Sequence, residues 1–185
     1  MIRSLEQGRI LRPTVASAAA LLSAAFILSA SARAADEPCQ PLADTMKKMA
    51  ATPTHIYSTT TAQWRTGAPR QTETIYAGGA IYTKVGASWM RSQLKPADML
   101  DASSRDPQGR HSCRYLRDEA VNGEAAAVYS THFEAQSGKI DTQIWVSKAK
   151  GLPLRQETDI DVGGAVGKSH RSERYEYVNV QPPKL

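Results

Sequence analysis

The chain has 185 residues, with 23 basic and 18 acidic side chains and a formal charge of +5 at pH 7. That length is enough for one domain with a hydrophobic core. Part of the positive charge lies at the N-terminus, so without that segment the composition gives little support to nucleic-acid binding.

The first 34 residues have the parts of a secretory signal. Three arginines precede an uncharged apolar stretch over 15–30, and Ala32-Arg33-Ala34 forms a small-x-small cleavage site. The apolar stretch is shorter than the roughly 20 residues that a spanning helix needs. We therefore predict a cleaved signal peptide over 1–34 and a periplasmic protein with no stable membrane span after cleavage. The single mature domain, 35–185, keeps 19 basic and 17 acidic residues, a charge of +2.

The mature segment contains two cysteines, Cys39 and Cys113. An even pair in an exported protein favours a disulfide. A metal or catalytic role has less support, because there is no CxxC and His111 has no recognisable partner beside Cys113. We expect a disulfide that ties the N-terminal segment to the middle of the fold.

The first elements are a helix and a meander of strands. Leu42, Met46 and Met49 recur at helical spacing, which predicts an amphipathic helix over Pro41–Ala51. Four short strands follow, rich in β-branched and aromatic residues and separated by glycine-containing turns. They are predicted over 54–64, 70–77, 80–85 and 89–94. The segment Pro96–Ser104 then predicts a short helix or an ordered loop.

A second meander follows a polar connection. Asn122-Gly123 is the strongest short signal for a hairpin, and further glycine turns lie at 136–138, 148–151 and 163–167. The predicted strands are 113–121, 124–134, 139–147, 152–162 and 168–180. Short sequential connections indicate antiparallel neighbours, so the fold class is mainly antiparallel β with about nine strands.

Aliphatic and aromatic residues stand side by side in most of these strands. The pairs are Ile56-Tyr57, Ile75-Tyr76, Ile81-Tyr82, Trp89-Met90, Val128-Tyr129, Ile144-Trp145 and Tyr177-Val178. Neighbours on a strand point to opposite faces, so both faces of the sheet carry apolar groups. Two interpretations stay open. Tyrosine rings could cover an outer face with their hydroxyls in water, or the sheet could curl around an apolar hollow covered by the predicted helix and Pro96–Ser104.

The order of elements resembles the LolA-like superfamily of cell-envelope proteins, which includes LppX-like and RseB-like relatives. The resemblance is carried by Ile144-Trp145-Val146, by the corner Gly151–Arg155 and by the closing stretch Tyr175–Val180. It implies a curved sheet or half-open β-barrel with one or two lid helices, whose concave apolar face takes an acyl chain or the lipid moiety of a lipoprotein. The helical lid here is sparse, and no position matches the family's lid arginine.

A lipid-binding role on this fold leads to a specific set of candidate residues. The side chains expected to line the hollow are Met46, Met49, Trp89, Met99, Leu100 and Trp145. The expected function is non-enzymatic binding of a lipid, an acyl chain or a lipidated protein. The alternative is an envelope protein–protein interaction or sensor domain, which would use a sheet edge or the convex aromatic face.

Motifs for chemistry are missing from the sequence. His55, His111, His132 and His170 lack the spacing of a metal site, and no catalytic or cofactor-binding motif is present. We therefore expect no catalytic residue, no metal and no cofactor, although a fold does not fix a function and an enzyme stays the third possibility. The acidic residues Glu157, Asp159 and Asp161 share one strand face and could hold a hard cation. Arg155 on the same face favours a surface of internally paired charges instead.

Overall fold

The computed structural model describes residues 39–99, 110–164 and 167–185. These ranges form one curved antiparallel sheet that is not closed, with one α-helix packed on it. The mainly β fold class expected from the sequence is therefore confirmed. The predicted signal peptide over 1–34, Leu100 and most of the connection after it lie outside the described residues.

Helix α1 (Gln40–Ala51) begins one residue before the predicted helix and ends where predicted. Pro41 lies in the first turn, where its missing N–H costs nothing. The helix ends at Thr52, whose hydroxyl donates to the carbonyl of Lys48 at 2.7 Å. Pro53 then disfavours a further helical turn. Leu42, Thr45 and Met49 are buried on one face of the helix, as an amphipathic helix requires.

The described residues after α1 form nine strands, in agreement with the sequence prediction. The first meander consists of β1 (Thr54–Ala62), β2 (Arg70–Ala77), β3 (Ala80–Val85) and β4 (Ser88–Arg91). The second consists of β5 (Arg110–Val121), β6 (Glu124–Ala135), β7 (Gly138–Ser147), β8 (Pro153–Asp161) and β9 (Lys168–Glu176). The last strand is shorter than predicted, because the chain leaves the sheet after Glu176 and turns at Asn179, which has a positive φ of 57°.

The two meanders join into a single sheet through their first and last strands. The strand order is β4-β3-β2-β1-β9-β8-β7-β6-β5, and β1 pairs with β9 from His55↔Glu176 to Ala62↔Ser169. Every neighbouring pair is antiparallel. The short strand β4 and the long strand β5 therefore form the two edges.

One face of the sheet, here called the helix face, packs against α1. Leu42 packs with Tyr129, Ile144 and Val146 over the second meander. Met49 packs with Ile56, Leu152 and Tyr175 where the two meanders meet. The helix thus crosses the strands from β5 towards β1, and its C-terminus leads directly into β1.

The opposite face, here called the reverse face, has apolar clusters of its own. Val128 and Trp145 are buried there with Leu116 and Leu154 beside them. Ile75 and Tyr82 form a second cluster, and Val180 from the C-terminal segment packs against it. Paired apolar neighbours such as Ile144-Trp145 are explained in this way, because each member joins the cluster of a different face.

The corner between β7 and β8 fixes the end of the sheet beneath α1. Gly151 has a φ of 59°, a backbone angle that residues with a side chain rarely adopt. Its N–H donates to the carbonyl of Ser147 at 2.8 Å. Leu152 then points into the Met49 cluster, and Pro153 is fully buried as the first residue of β8. Lys48 of α1 donates to the carbonyl of Lys150 at 2.5 Å, which links the helix to this corner.

The expected disulfide between Cys39 and Cys113 is present, with a Cα–Cα distance of 5.9 Å and a sequence separation of 74. It ties the N-terminal end of α1 to the edge strand β5. The C-terminal end of α1 is already held by the short link to β1, so the helix is fixed to the sheet at both ends.

Replacing both cysteines by serine should lower the free energy of unfolding by about 2–4 kcal/mol, since the bridge closes a long loop in the unfolded chain. Urea titration of the purified protein measures this loss. Reducing the wild-type protein with dithiothreitol should produce a similar loss, and the same reagent should leave the double variant unchanged. A loss below about 0.5 kcal/mol in both arms would contradict the stabilising role given to the bridge.

Candidate functional site

Of the six residues expected to line a lipid site, the five that the structure describes do not come together. Met46 and Met49 project from α1 towards the helix face. Trp89 and Trp145 lie on the reverse face, as the strand register requires. Met99 is the last described residue of a 3₁₀ turn that begins at residue 96, and it is 48% exposed. Leu100 lies outside the described residues.

Trp145 is part of the structural core of the reverse face. Its side chain is 5% exposed, and the guanidinium of Arg155 lies 4.8 Å from its ring centroid. Trp89 also lies beside polar groups, with the ring of His55 at 6.1 Å and the Lys84 ammonium at 5.8 Å. Neither ring borders the space beneath α1. Any apolar site on the helix face is therefore formed by other residues.

A hollow of about 560 Å³ lies between α1 and strands β5 to β7, and we call it the apolar hollow. Leu42 and Met46 border it from the helix, and Phe133 and Ile140 border it from the sheet. The Cys39–Cys113 bridge and His111 form its rim, with the His111 ring 4.6 Å from that of Phe133. Its volume lies within the roughly 300–1,000 Å³ of small-molecule sites.

Phe133 and Ile140 were missed by the sequence analysis. They are directly opposite each other in the β6–β7 hairpin. The glycine turn at 136–138 sets that register, so the pair could have been found by counting outwards from the turn. Each of the two residues has polar neighbours along its own strand, so neither belongs to the adjacent apolar pairs from which the hollow was predicted.

The floor of the helix face becomes polar away from the apolar hollow. Thr131, Thr142 and Thr158 form a cross-strand row, and the hydroxyl of Thr142 donates to that of Thr158 at 3.4 Å. Glu173 lies further along and accepts hydrogen bonds from Ser58 and Tyr175, both at 3.0 Å. Burial and the neighbouring Glu173 carboxylate raise the pKa of Tyr175 well above its usual value, so its hydroxyl stays a donor.

Charged side chains on the reverse face pair with one another. Arg155 donates to Glu157 at 2.7 Å, and His170 lies 2.8 Å from Asp159 and 2.9 Å from Glu157. The interpretation of this strand as a paired surface is therefore confirmed. Among the described residues, no group of three or more histidine, cysteine or acidic side chains is arranged to hold a metal ion.

A polar hollow of about 680 Å³ also opens on the reverse face, and paired charges border it. Lys84 donates to Glu73 at 2.5 Å, and this hydrogen bond lowers the pKa of the Glu73 carboxyl. The Arg174 guanidinium lies 4.3 Å from the ring centroid of Tyr57 and pairs with Glu176. These partners satisfy the charges locally, so the lining has a structural explanation without a ligand.

Comparisons with known proteins find similar folds among solved structures but no match by sequence. No protein-family profile and no curated protein matches the chain. The solved structure of LprF from Mycobacterium bovis aligns at 13% identity over 80% of this chain and 95% of that one, with a TM-score of 0.45. A LolA superfamily protein from Nitrosomonas europaea aligns at 10% identity over 77% and 93%, with a TM-score of 0.29.

The MucA/MucB complex of Pseudomonas aeruginosa gives a third match, at 12% identity with a TM-score of 0.42. It covers 77% of this chain but only 58% of the matched chain. The resemblance to LolA-like proteins that the sequence indicated is therefore also found among solved structures. At these identities and scores the likeness transfers no function to this chain.

No helix within the described ranges combines the length and apolar character required to cross a membrane.

The pairing of His170 should make stability depend on pH. The hydrogen bond to Asp159 raises the pKa of His170 above 6.5, so protonation favours the folded state. This stabilisation is complete below the unfolded pKa of about 6.5 and is lost as the pH rises through the folded value. The free energy of unfolding should therefore fall more on His170→Gln at pH 5 than at pH 8, by less than about 1 kcal/mol because the pair is half exposed.

Urea titrations of wild-type and variant protein at both pH values measure that difference. The same substitution in an Asp159→Asn background should give a smaller pH dependence, since the main partner is gone. A difference that stays constant or grows with pH would contradict the assignment.

Proposed function

We propose that this protein is an exported, non-enzymatic binding protein whose apolar hollow takes an acyl chain or a similar apolar part of an amphiphile. The observation that supports it best is the unfilled space between α1 and the β6–β7 hairpin, with Leu42, Met46, Phe133 and Ile140 on its walls. Burial of apolar area, at roughly 25 cal/mol per Å², would supply the driving force.

The polar floor supports an amphiphile in preference to a purely apolar ligand. Thr131 borders the apolar hollow and begins the threonine row. A chain lying against Phe133 and Ile140 would therefore have hydroxyl groups beside one end. Such groups can orient a ligand through a few hydrogen bonds while the apolar walls supply most of the affinity.

The disulfide and the N-terminal sequence support an exported location. Disulfides persist in oxidising compartments, and the cleavable signal proposed over 1–34 would deliver the chain to one. We propose 35–185 as the single mature domain. The disulfide also forms part of the rim of the apolar hollow, so the compartment that keeps it oxidised would also keep α1 over the site.

A protein-binding role is the second candidate, and the edge strand β5 favours it. This strand has 12 residues and pairs only with β6 among the described strands. Long unpaired edges accept extended segments of other chains as added strands. Arg114 and Arg117 are exposed on it and would favour an acidic segment, although Arg117 already pairs with Glu119.

A charge within the apolar hollow should weaken acyl-chain binding. Ile140→Asp places a carboxylate on the wall, and its desolvation should weaken binding of a fluorescent fatty acid by at least about tenfold. Val85→Asp is the matched control, because Val85 is an exposed aliphatic strand residue outside the hollow. Fluorescence titration of the exported wild-type protein and both variants measures the affinities.

Equal affinity of the two variants, or no binding by the wild-type protein, would overturn the acyl-chain assignment. Mass spectrometry of the protein purified under native conditions provides an independent measurement. A co-purifying amphiphile that is lost in Ile140→Asp is the expected result. Capture of an acidic polypeptide that is unaffected by Ile140→Asp would favour the edge-strand function instead.

A further inference from the structure

A second hollow on the helix face brings three arginines together at the β1–β2 turn. It measures about 240 Å³ and is bordered by Arg65, Arg70 and Arg171, with Thr60, Thr72 and Trp64 between them. We propose that this arginine hollow binds the phosphate groups of anionic lipids and docks the protein on a membrane surface, with Trp64 entering the interface. This site is separate from the apolar hollow and does not depend on the ligand proposed there.

The strand register places two of the arginines on either side of one hydroxyl. Thr60 on β1 pairs directly with Arg171 on β9 and with Arg70 on β2. Directly paired residues on an antiparallel sheet point to the same face with their Cβ atoms about 5 Å apart. The third arginine comes from the turn, where the N–H of Arg65 donates to the carbonyl of Ala62 at 3.1 Å.

The positive charge of the hollow is largely uncompensated. In the part of the chain that the structure describes, Arg65 and Arg70 form no ion pair. Arg171 has only a long contact with Glu173, at 3.8 Å. This differs from the reverse face, where Arg155 and Arg174 each have a close carboxylate partner. Three neighbouring cations with no close counter-charge are stabilised by an anion, and guanidinium groups match the oxygens of phosphate.

The turn itself is held in place although its side chains are exposed. The backbone N–H of Gln63 donates to the carbonyl of Lys168 at 2.9 Å. The side-chain oxygen of Gln63 accepts a hydrogen bond from the backbone N–H of Lys168 at 3.2 Å. These two bonds fasten the beginning of the turn to β9, so Trp64 and Arg65 start from an anchored residue.

Trp64 decides between a membrane surface and a soluble phosphate. Its side chain is 60% exposed, whereas the other two tryptophans are buried or half-buried. An exposed indole next to guanidinium groups suits the headgroup region of a bilayer, where tryptophan is favoured and anionic lipids attract basic residues. A soluble phosphate would use the arginines and gain little from Trp64.

The test uses the exported protein with two kinds of vesicle. One contains phosphatidylglycerol and phosphatidylcholine in equal amounts, and the other contains phosphatidylcholine alone. Wild-type protein should co-sediment with the first kind far more than with the second, and less so at high salt. Each of Arg65→Gln, Arg70→Gln and Arg171→Gln should reduce the partition coefficient by about fivefold.

Arg114→Gln is the matched control, because it removes an exposed positive charge from the edge strand β5, which lies four strands away from β9. Its partition coefficient should change by less than about twofold if the site is local. Tryptophan emission gives a second readout. Vesicles should shift the emission of wild-type protein and of Trp89→Phe to the blue, and Trp64→Phe should lose that shift.

Several outcomes would overturn the proposal. These are equal binding to both vesicles, an equal loss in Arg114→Gln, or a blue shift that survives Trp64→Phe. An inorganic phosphate arm at constant ionic strength distinguishes the sources of the anion. If phosphate binds to the wild-type protein and not to Arg70→Gln, while vesicles do not bind, the site takes soluble phosphate and membrane docking is wrong. Circular dichroism of each variant checks that the sheet is intact.

Discussion

The pairing of β1 with β9 is the constraint on which the rest of the structure depends. It joins the beginning of the strand-forming sequence to its end through eight register pairs, from His55↔Glu176 to Ala62↔Ser169. Without it, two separate meanders would each expose an edge at this point. Because α1 leads directly into β1, the same pairing also places the helix over both meanders, where Met49 packs between Ile56 and Tyr175.

The helix covers only part of the face that it packs on, and this divides the face chemically. Apolar side chains lie where α1 passes, as with Ile144 and Val146. Threonines, Glu173 and the arginines lie beyond its reach. A half-buried carboxylate such as Glu173 needs partners, and Ser58 of β1 and Tyr175 of β9 provide them. The helix face is therefore apolar beneath α1 and polar along the threonine row, and a ligand would meet two different environments.

Most of the fold could be predicted because turn chemistry and strand composition are local signals. Asn122-Gly123 and the glycine turns set the strand boundaries, and helical spacing located α1. The site was harder, since it depends on which face each residue takes and on what covers that face. Trp145 is a large aromatic residue of the kind that lines ligand sites, but it lies on the reverse face. Its neighbour Ile144 packs beneath α1, and adjacent residues on a strand point to opposite faces. The cover that Val180 provides for Ile75 and Tyr82 depends on where the chain goes after β9, which no local pattern indicates.

The two hollows of the helix face are joined by one row of directly paired side chains. The row runs through Thr131, Thr142, Thr158, Arg171, Thr60 and Arg70. Five steps between neighbouring strands make it roughly 24 Å long. A phosphate at the arginines and an apolar chain at Phe133 are therefore too far apart to be adjoining parts of one headgroup and chain. Docking on a membrane and holding an amphiphile would therefore be separate events on the same face. The threonine row lies between the two hollows, and each threonine presents one hydroxyl and one methyl group, so this part of the face can contact both polar and apolar groups of a ligand.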